Sequence, residues 1–266
     1  MSLSKDQIAR YARQLILPEV GVRGQERLRA SSVLIIGAGG LGCPSALYLA
    51  AAGIGRLGIV DRDAVALSNL HRQILFTTAD VGRPKSESAA QRLEALNPEV
   101  AVTAVQAGVT PANALDLVRT CDIVVDGSDN FPTRYLVNDA CVLAGKPLVH
   151  GGVIHLGGQV MVVQPQRSAC FRCVFPEPPS AGAVPNCSEA GVIGAVAGII
   201  GSVMAHEALK LALGIGDVLT NRLLVFEGMR SRFREVPVRR DDGCAVCGST
   251  PTIRRLVSEG AACTVS

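Results

Sequence analysis

Short, wholly apolar runs alternate with segments of helical periodicity through the first 150 residues of the chain. Over residues 4–17, Ser4 stands where a cap would stand and Gln7 follows three positions later. Ile8, Tyr11 and Leu15 then recur at helical spacing, which predicts an amphipathic helix. A short helix over 25–30 leads into Val33–Ile36, a continuous apolar run closed by glycine and therefore a buried strand. The same reading gives a helix to residue 52, a strand over 56–61, a helix over 85–96 and a strand over 101–106. A helix over 112–119, a strand over 123–126, a helix over 132–144 and an apolar run at 147–150 follow. Strands and helices of these lengths in alternation predict an α/β fold with a Rossmann-like, doubly wound, mostly parallel sheet.

Beyond residue 150 the pattern changes. Residues 158–163 alternate like a half-buried strand, and 220–226 with 230–238 read as an antiparallel pair around Gly228, so antiparallel strands extend the sheet. Residues 176–187 are rich in Pro, Ala, Gly and Ser and predict a long functional loop. From Ala190 to Ala205 there is no charge, with Glu189 and Glu207 on either side; these 16 positions fall short of a membrane span. With Gly191, Gly194, Gly198 and Gly201 along it, this stretch predicts a buried helix whose small face lets a neighbour approach, with His206 packed on it. One unit is expected over 5–248: N-terminal helices (4–30), a nucleotide-binding half (31–150) and a second half (151–248). A small, polar, poorly ordered tail (249–266) is expected after it.

Composition sharpens this picture. Apolar residues make up 48% of the chain but aromatics only 3%, so the core is aliphatic and glycine-rich, as helix-covered parallel sheets require. The net charge of +3 is dispersed, and neither a nucleic acid nor a membrane is an expected partner. The first seven residues carry no apolar leader, and the expected setting is reducing and cytoplasmic. Nine cysteines suit no disulfide framework, and four of them form two Cys-x-x-Cys pairs, Cys170/Cys173 and Cys244/Cys247. Four thiolates suit a tetrahedral Zn²⁺ with no open position, hence a structural site. Redox dithiols or plain packing are the alternatives. Cys43, Cys121 and Cys141 fall on core elements, and Cys263 on the tail.

Between the first strand and its helix, Gly37-x-Gly39-Gly40-x-Gly42 fits the loop whose backbone N–H groups meet a phosphate. Asp61 stands 19 residues past the last of these glycines, at the tip of the next strand, where a carboxylate can hold ribose hydroxyls. Alone, this motif suggests NAD. Asn69, Arg72 and Gln73, followed by Lys85, bring more positive charge than a diphosphate bridge needs. Asp129 and Asn130 follow a strand's carboxyl end, and an acid beside phosphates calls for Mg²⁺. A solvated basic surface and a helix-capping aspartate are the plainer readings.

Taken in order, Arg10-Tyr11-x-Arg13-Gln14, the glycine loop, Leu67-Ser68-Asn69-Leu70-x-Arg72-Gln73, Lys85, Asp129-Asn130 and the two cysteine pairs resemble the MoeB/ThiF/HesA family. These are bacterial E1-like adenylyltransferases that activate ubiquitin-like sulfur carriers. The resemblance covers residues 5–248 and implies a homodimer using ATP, Mg²⁺ and Zn²⁺. The partners it implies are a MoaD- or ThiS-like carrier ending in Gly-Gly and, with no rhodanese-like extension after residue 248, a separate sulfur donor protein. It makes Asp61 the ribose ligand, Asn69, Arg72 and Lys85 the triphosphate contacts, and Asp129 the Mg²⁺ ligand. Gln73 and Asn130 join them in the nucleotide site, and the four paired cysteines become the zinc ligands. Arg13 is implied to reach the neighbouring subunit's site, and Cys187 to lie on a crossover loop. There Cys187 attacks the acyl-adenylate, relays sulfur as a persulfide, or is inert. An NAD(P)-linked oxidoreductase with a structural zinc, and a non-catalytic scaffold for a ubiquitin-like protein, are the competing readings.

Overall fold

The computed structural model describes residues 3–179 and 191–256; Cys187 and Cys263 lie outside them. Eight strands form one sheet: β1 Ser32–Ile36, β2 Arg56–Val60, β3 Ala101–Val105, β4 Ile123–Asp126, β5 Leu148–Ile154, β6 Gly157–Val163, β7 Arg222–Glu227 and β8 Arg232–Pro237. Their order is β3-β2-β1-β4-β5-β6-β7-β8. Pairing is parallel from β3 to β5 and antiparallel from β5 to β8. The chain thus reverses its direction of winding beside β1, between β1 and β4, the place where open α/β sheets bind ligands.

The first predicted helix is two, α1 Lys5–Arg10 and α2 Ala12–Leu15. Ser4 and Gln7 form the expected capping box. The break falls at Tyr11, whose ring is buried and whose hydroxyl accepts from Asn97 Nδ2 at 2.9 Å. This anchor takes residue 11 out of helical geometry (φ −99°, ψ 12°). The next helix, α3 Gly21–Ala30, starts earlier than the sequence suggested. The remaining helices are α4 Gly42–Ala52, α5 Lys85–Leu96, α6 Ala114–Arg119, α7 Phe131–Ala144, α8 Phe171–Val174 and α9 Gly194–Leu213.

The sheet is covered on both sides. Ile35, Val125, Val149, Val160 and Val162 face α4, α5 and α9, while Leu34, Val124, Leu148, Met161 and Val163 face α6, α7 and the cysteine segments. Each such side chain contributes about 1.5–3 kcal/mol by leaving water. The alternation at 158–163 was therefore misleading. Val160 to Val163 are all buried, because β6 is interior to the sheet and α9 closes one face while the cysteine segments close the other.

Helix α9 is the expected apolar helix, but Gly191 precedes it and Gly198 meets open space, so Gly194 and Gly201 make its close approaches. A methyl group on Gly201 would sit 2.4 Å from Pro44 Cγ, and Ser45 Oγ donates to the Gly201 carbonyl at 2.9 Å, so α4 and α9 touch backbone to backbone. The helix is long and apolar enough to cross a membrane, but half of its apolar window is buried within the fold. His206 is not packed as expected: it is exposed, and Glu207 is the buried polar residue, accepting from the Leu219 N–H at 2.8 Å. Within the predicted tail, Ile253 and Leu256 pack on the core and the Ile253 N–H donates to the Ala245 carbonyl at 2.8 Å; residues 257–266 lie outside the described residues.

Candidate active site

The carboxyl ends of β1, β2 and β4 open into a cleft of about 360 Å³. Its floor is the glycine loop. Gly37 has φ +87°, and a Cβ on Gly42 would lie 1.8 Å from the Gly37 carbonyl oxygen, so side chains at either position would break the turn. Asp61 ties the end of β2 to this loop, accepting from the Ala38 and Asp63 N–H groups, each at 2.8 Å. Burial raises the Asp61 pKa, opposed by those two N–H groups and by Lys85. Lys85, the first residue of α5, is buried except for a 3.2 Å ion pair with Asp63. Arg72 lies across the cleft, donating to the Ser68 carbonyl at 3.1 Å with His71 Nε2 at 2.8 Å. Gln73 Oε1 is buried at the cleft with no partner among the described residues.

The cleft brings together Gly37, Gly39, Gly40, Asp61, Arg72, Gln73, Lys85, Asp129 and Asn130. Asp129 is exposed and bound only by the Asn130 amide at 3.4 Å. The capping role belongs to Asn130 instead, which accepts from the Thr133 N–H at 2.9 Å at the start of α7. Three expected residues stand apart. Gly42 packs behind the loop, Asn69 accepts from the Ala66 N–H at 3.2 Å within its own turn, and Arg13 is exposed on α2, away from the cleft.

A second, mainly apolar groove of about 620 Å³ runs between α7, β5–β7 and α8, walled by Phe131, Tyr135, Phe171, Phe175 and Phe226. It meets the cleft at Asp129, Arg134 and Val153, which line both. Sequence reasoning missed Asp63 and Arg134. The legible signals were the second acid two residues after Asp61 and the arginine one helical turn after Asn130. It also missed Asp126 and His150, paired across β4 and β5 with His150 Nδ1 3.0 Å from Asp126 Oδ2 and both fully buried. Burial lowers the His150 pKa. Burial would raise Asp126, but the hydrogen bond and charge of His150, together with hydrogen bonds from Ser128, outweigh it and hold the carboxyl below its usual range.

On the far side of the groove the four paired cysteines converge, with Sγ atoms within 4.8 Å of one another. Cys170 to Cys244 measures 3.6 Å, Cys173 to Cys247 3.3 Å and Cys170 to Cys173 3.8 Å. A tetrahedral zinc with bonds of about 2.3 Å sets its sulfurs about 3.8 Å apart, so the quartet fits that ion. Arg172, between Cys170 and Cys173, forks onto Asp139 of α7 at 2.8–3.1 Å, fixing the turn to the core. Cys43, Cys121 and Cys141 are buried packing residues, and burial pushes Cys43 up to about 12 and Cys121 up to about 11.

The ThiF family model matches residues 11–246. The chain is 53% identical over 268 residues to the sulfur carrier protein adenylyltransferase of Thermus thermophilus, covering 99% of each. It is 53% identical over 256 residues to the adenylyltransferase and sulfurtransferase MOCS3 of Sus scrofa, covering 96% of this chain and 56% of that protein. The chain thus spans little more than half of the MOCS3 relatives it matches. Among solved structures, E. coli MccB superposes with a TM-score of 0.81 at 24% identity, covering 94% of this chain and 74% of that one. That likeness concerns the fold alone.

Proposed function

This chain belongs to the ThiF family, and from that premise we propose that it is an ATP-dependent adenylyltransferase acting on a ubiquitin-like sulfur carrier. The substrate group is the carboxylate of the carrier's C-terminal Gly-Gly, of MoaD or ThiS type. One observation carries this reading: a cationic cleft with a phosphate-binding loop meets an apolar groove at Asp129 and Arg134. Triphosphate suits the first and an extended, side-chain-poor peptide end suits the second. The 53% identity across 99% of a sulfur carrier protein adenylyltransferase supports the same assignment over an oxidoreductase or an idle scaffold.

The carrier's carboxylate is already ionised at neutral pH, so no general base is needed. One of its oxygens attacks the α-phosphorus, the Pα–O bond to the β-phosphate breaks with its electron pair, and pyrophosphate leaves; the product is an acyl-adenylate. The difficulty is to align one anion with another, and the chain answers with position and charge. The N–H groups of the glycine loop hold phosphate oxygens, Asp61 keeps one lone-pair face for the ribose, and Arg72 and Lys85 balance the triphosphate. Gln73 and Asn130 complete the nucleotide's polar contacts, and Asn69, outside the cleft lining, braces the turn that presents Arg72 and Gln73, its carbonyl accepting from both of their N–H groups. Mg²⁺ held by Asp129 would neutralise charge on the phosphate oxygens as pyrophosphate leaves.

Arg13, exposed and outside the lining of its own cleft, serves the site of a second copy in a homodimer. An arginine supplied this way is worth roughly 10³–10⁵ in rate in other phosphoryl-transfer enzymes. The cysteine quartet holds Zn²⁺ as a structural clamp. Cys187 acts after adenylation, by attacking the acyl-adenylate or relaying sulfur from a separate donor protein, so Cys187→Ala leaves adenylation intact and impairs sulfur transfer. The functional unit is residues 5–248. The decisive measurement is ATP–pyrophosphate exchange, expected only with a carrier ending in Gly-Gly; NADH binding without exchange would refute the proposal.

A further inference from the structure

Arg134 occupies a position no other cation of the site shares: it lines both the nucleotide cleft and the apolar groove. Asp129 and Val153 are the only other residues to do so among the described ones. Its guanidinium is held from behind, with Nε and Nη2 donating to the Ser128 carbonyl at 3.3 and 3.2 Å and the Phe131 ring centroid 5.4 Å away. These contacts use two of the five N–H donors of an arginine. The outer fork is left without a hydrogen bond or carboxylate partner among the described residues. Lys85, by contrast, already has Asp63, and Arg172 already has Asp139.

A half-buried, rigidly backed guanidinium with its fork unpaired is a receptor for a planar anion. Phosphate oxygens would meet it from the cleft side, where the glycine loop, Arg72 and Lys85 already supply partners. From the groove side the arriving group is a carboxylate at the end of an extended peptide, in surroundings otherwise apolar. We infer that Arg134 binds the C-terminal carboxylate of the carrier before adenylation and sets it in line with the α-phosphate. This rests on the proposed function and adds to it the residue that recognises the free acid. Once the carboxylate becomes an acyl-adenylate its oxygen is a neutral bridging atom and the charge has left with pyrophosphate, so Arg134 discriminates substrate from any peptide end lacking the acid.

The test uses the full chain, and its first arm needs no substitution in it. Carrier protein ending in a Gly-Gly carboxylate is compared by titration calorimetry with the same carrier ending in a carboxamide, each with a non-hydrolysable ATP analogue present. Wild-type protein is expected to bind the acid about ten- to a hundredfold more tightly, the range of a charge-assisted hydrogen bond. Arg134→Gln should erase that preference while leaving the affinity for the ATP analogue within about twofold, and Arg134→Lys should restore part of it. A preference for the acid that survives in Arg134→Gln overturns the inference, as does a loss of nucleotide affinity with the preference intact. Equal wild-type affinity for the two carriers overturns it without any variant. Failure of wild-type protein to bind or adenylate any Gly-Gly carrier is a different result, and removes the proposed function itself.

Discussion

The nucleotide cleft and the cysteine clamp treat their polar groups in opposite ways. At the clamp nearly every polar group is answered from within: Arg172 forks onto Asp139, the Phe171 N–H donates to Asn138 at 2.9 Å, and Cys173 Sγ accepts from the Asp241 N–H at 3.4 Å. At the cleft, among the described residues, Gln73 Oε1 is buried without a partner, the Arg134 fork is open, and Asp129 is exposed beside one weak contact. Buried polar groups left unsatisfied cost stability, so a fold retains them where a ligand completes them. That contrast supports the proposal that the clamp is architecture and the cleft is chemistry, although the clamp carries the more conspicuous reactive atoms.

The sharpest way to break this contrast is at Asp129. Asp129→Ala should lower carrier-dependent exchange to below about 1% of wild type, while the melting temperature, for so exposed a side chain, should barely move. Substantial Mg²⁺-dependent exchange in the variant would count against a metal role for this carboxylate. The cleft should also be incomplete in one copy. Arg13→Ala should be inactive alone, yet co-expressed with Asp129→Ala it should yield mixed dimers with about half the wild-type activity, each carrying one intact site. Mixed dimers without activity would place Arg13 in its own subunit's site.

The clamp should respond in the reverse sense. Stripping the metal with a chelator, or Cys170→Ser, should lower the melting temperature by on the order of 10 °C. Exchange per folded molecule should stay within about threefold at a temperature where the protein is still native. A loss of exchange that precedes any loss of structure would make the clamp part of the chemistry. Should Cys170→Ser fail to fold, the chelator titration still separates the two outcomes.

How far this contrast was readable from the sequence depended on how local its signals are. The glycine loop, Asp61, Lys85 and the cysteine pairs are spelled out within short stretches, because turn geometry and metal-ligand spacing constrain neighbours in the chain. The parallel half of the sheet was readable for the same reason, each strand being a continuous apolar run. β6 misled because its apparent alternation ignores a second covering layer contributed by residues 170–174 and 244–247. Tyr11 broke a helix through a contact with Asn97, 86 positions away, which periodicity cannot register. Arg134 was missed because its meaning lies in which two cavities it separates, a property of α7 against β5 and not of the Asp-Asn-x-x-x-Arg spacing.

One buried group on the clamp side departs from the contrast and supplies its smallest test. His150 donates through Nδ1 to Asp126, packs on the Phe171 ring with centroids 4.6 Å apart, and leaves Nε2 with no partner among the described residues. Burial, with some help from the nearby charge of Arg134, pushes its pKa below the usual histidine value of 6.5, against the pull of Asp126. Below about pH 6.5 the unfolded chain therefore takes up a proton that the folded chain refuses, and stability falls as the pH drops toward the lowered folded value. Asp126, also lowered, adds a loss in the same direction only below its ordinary carboxylate range. His150→Asn keeps an amide N–H for Asp126 and removes the titration, so between pH 7 and 5 its melting temperature should fall less than that of wild type, by about 2–4 °C. Parallel curves would mean that His150 takes up its proton equally readily folded and unfolded, and that the open Nε2 finds a partner after all.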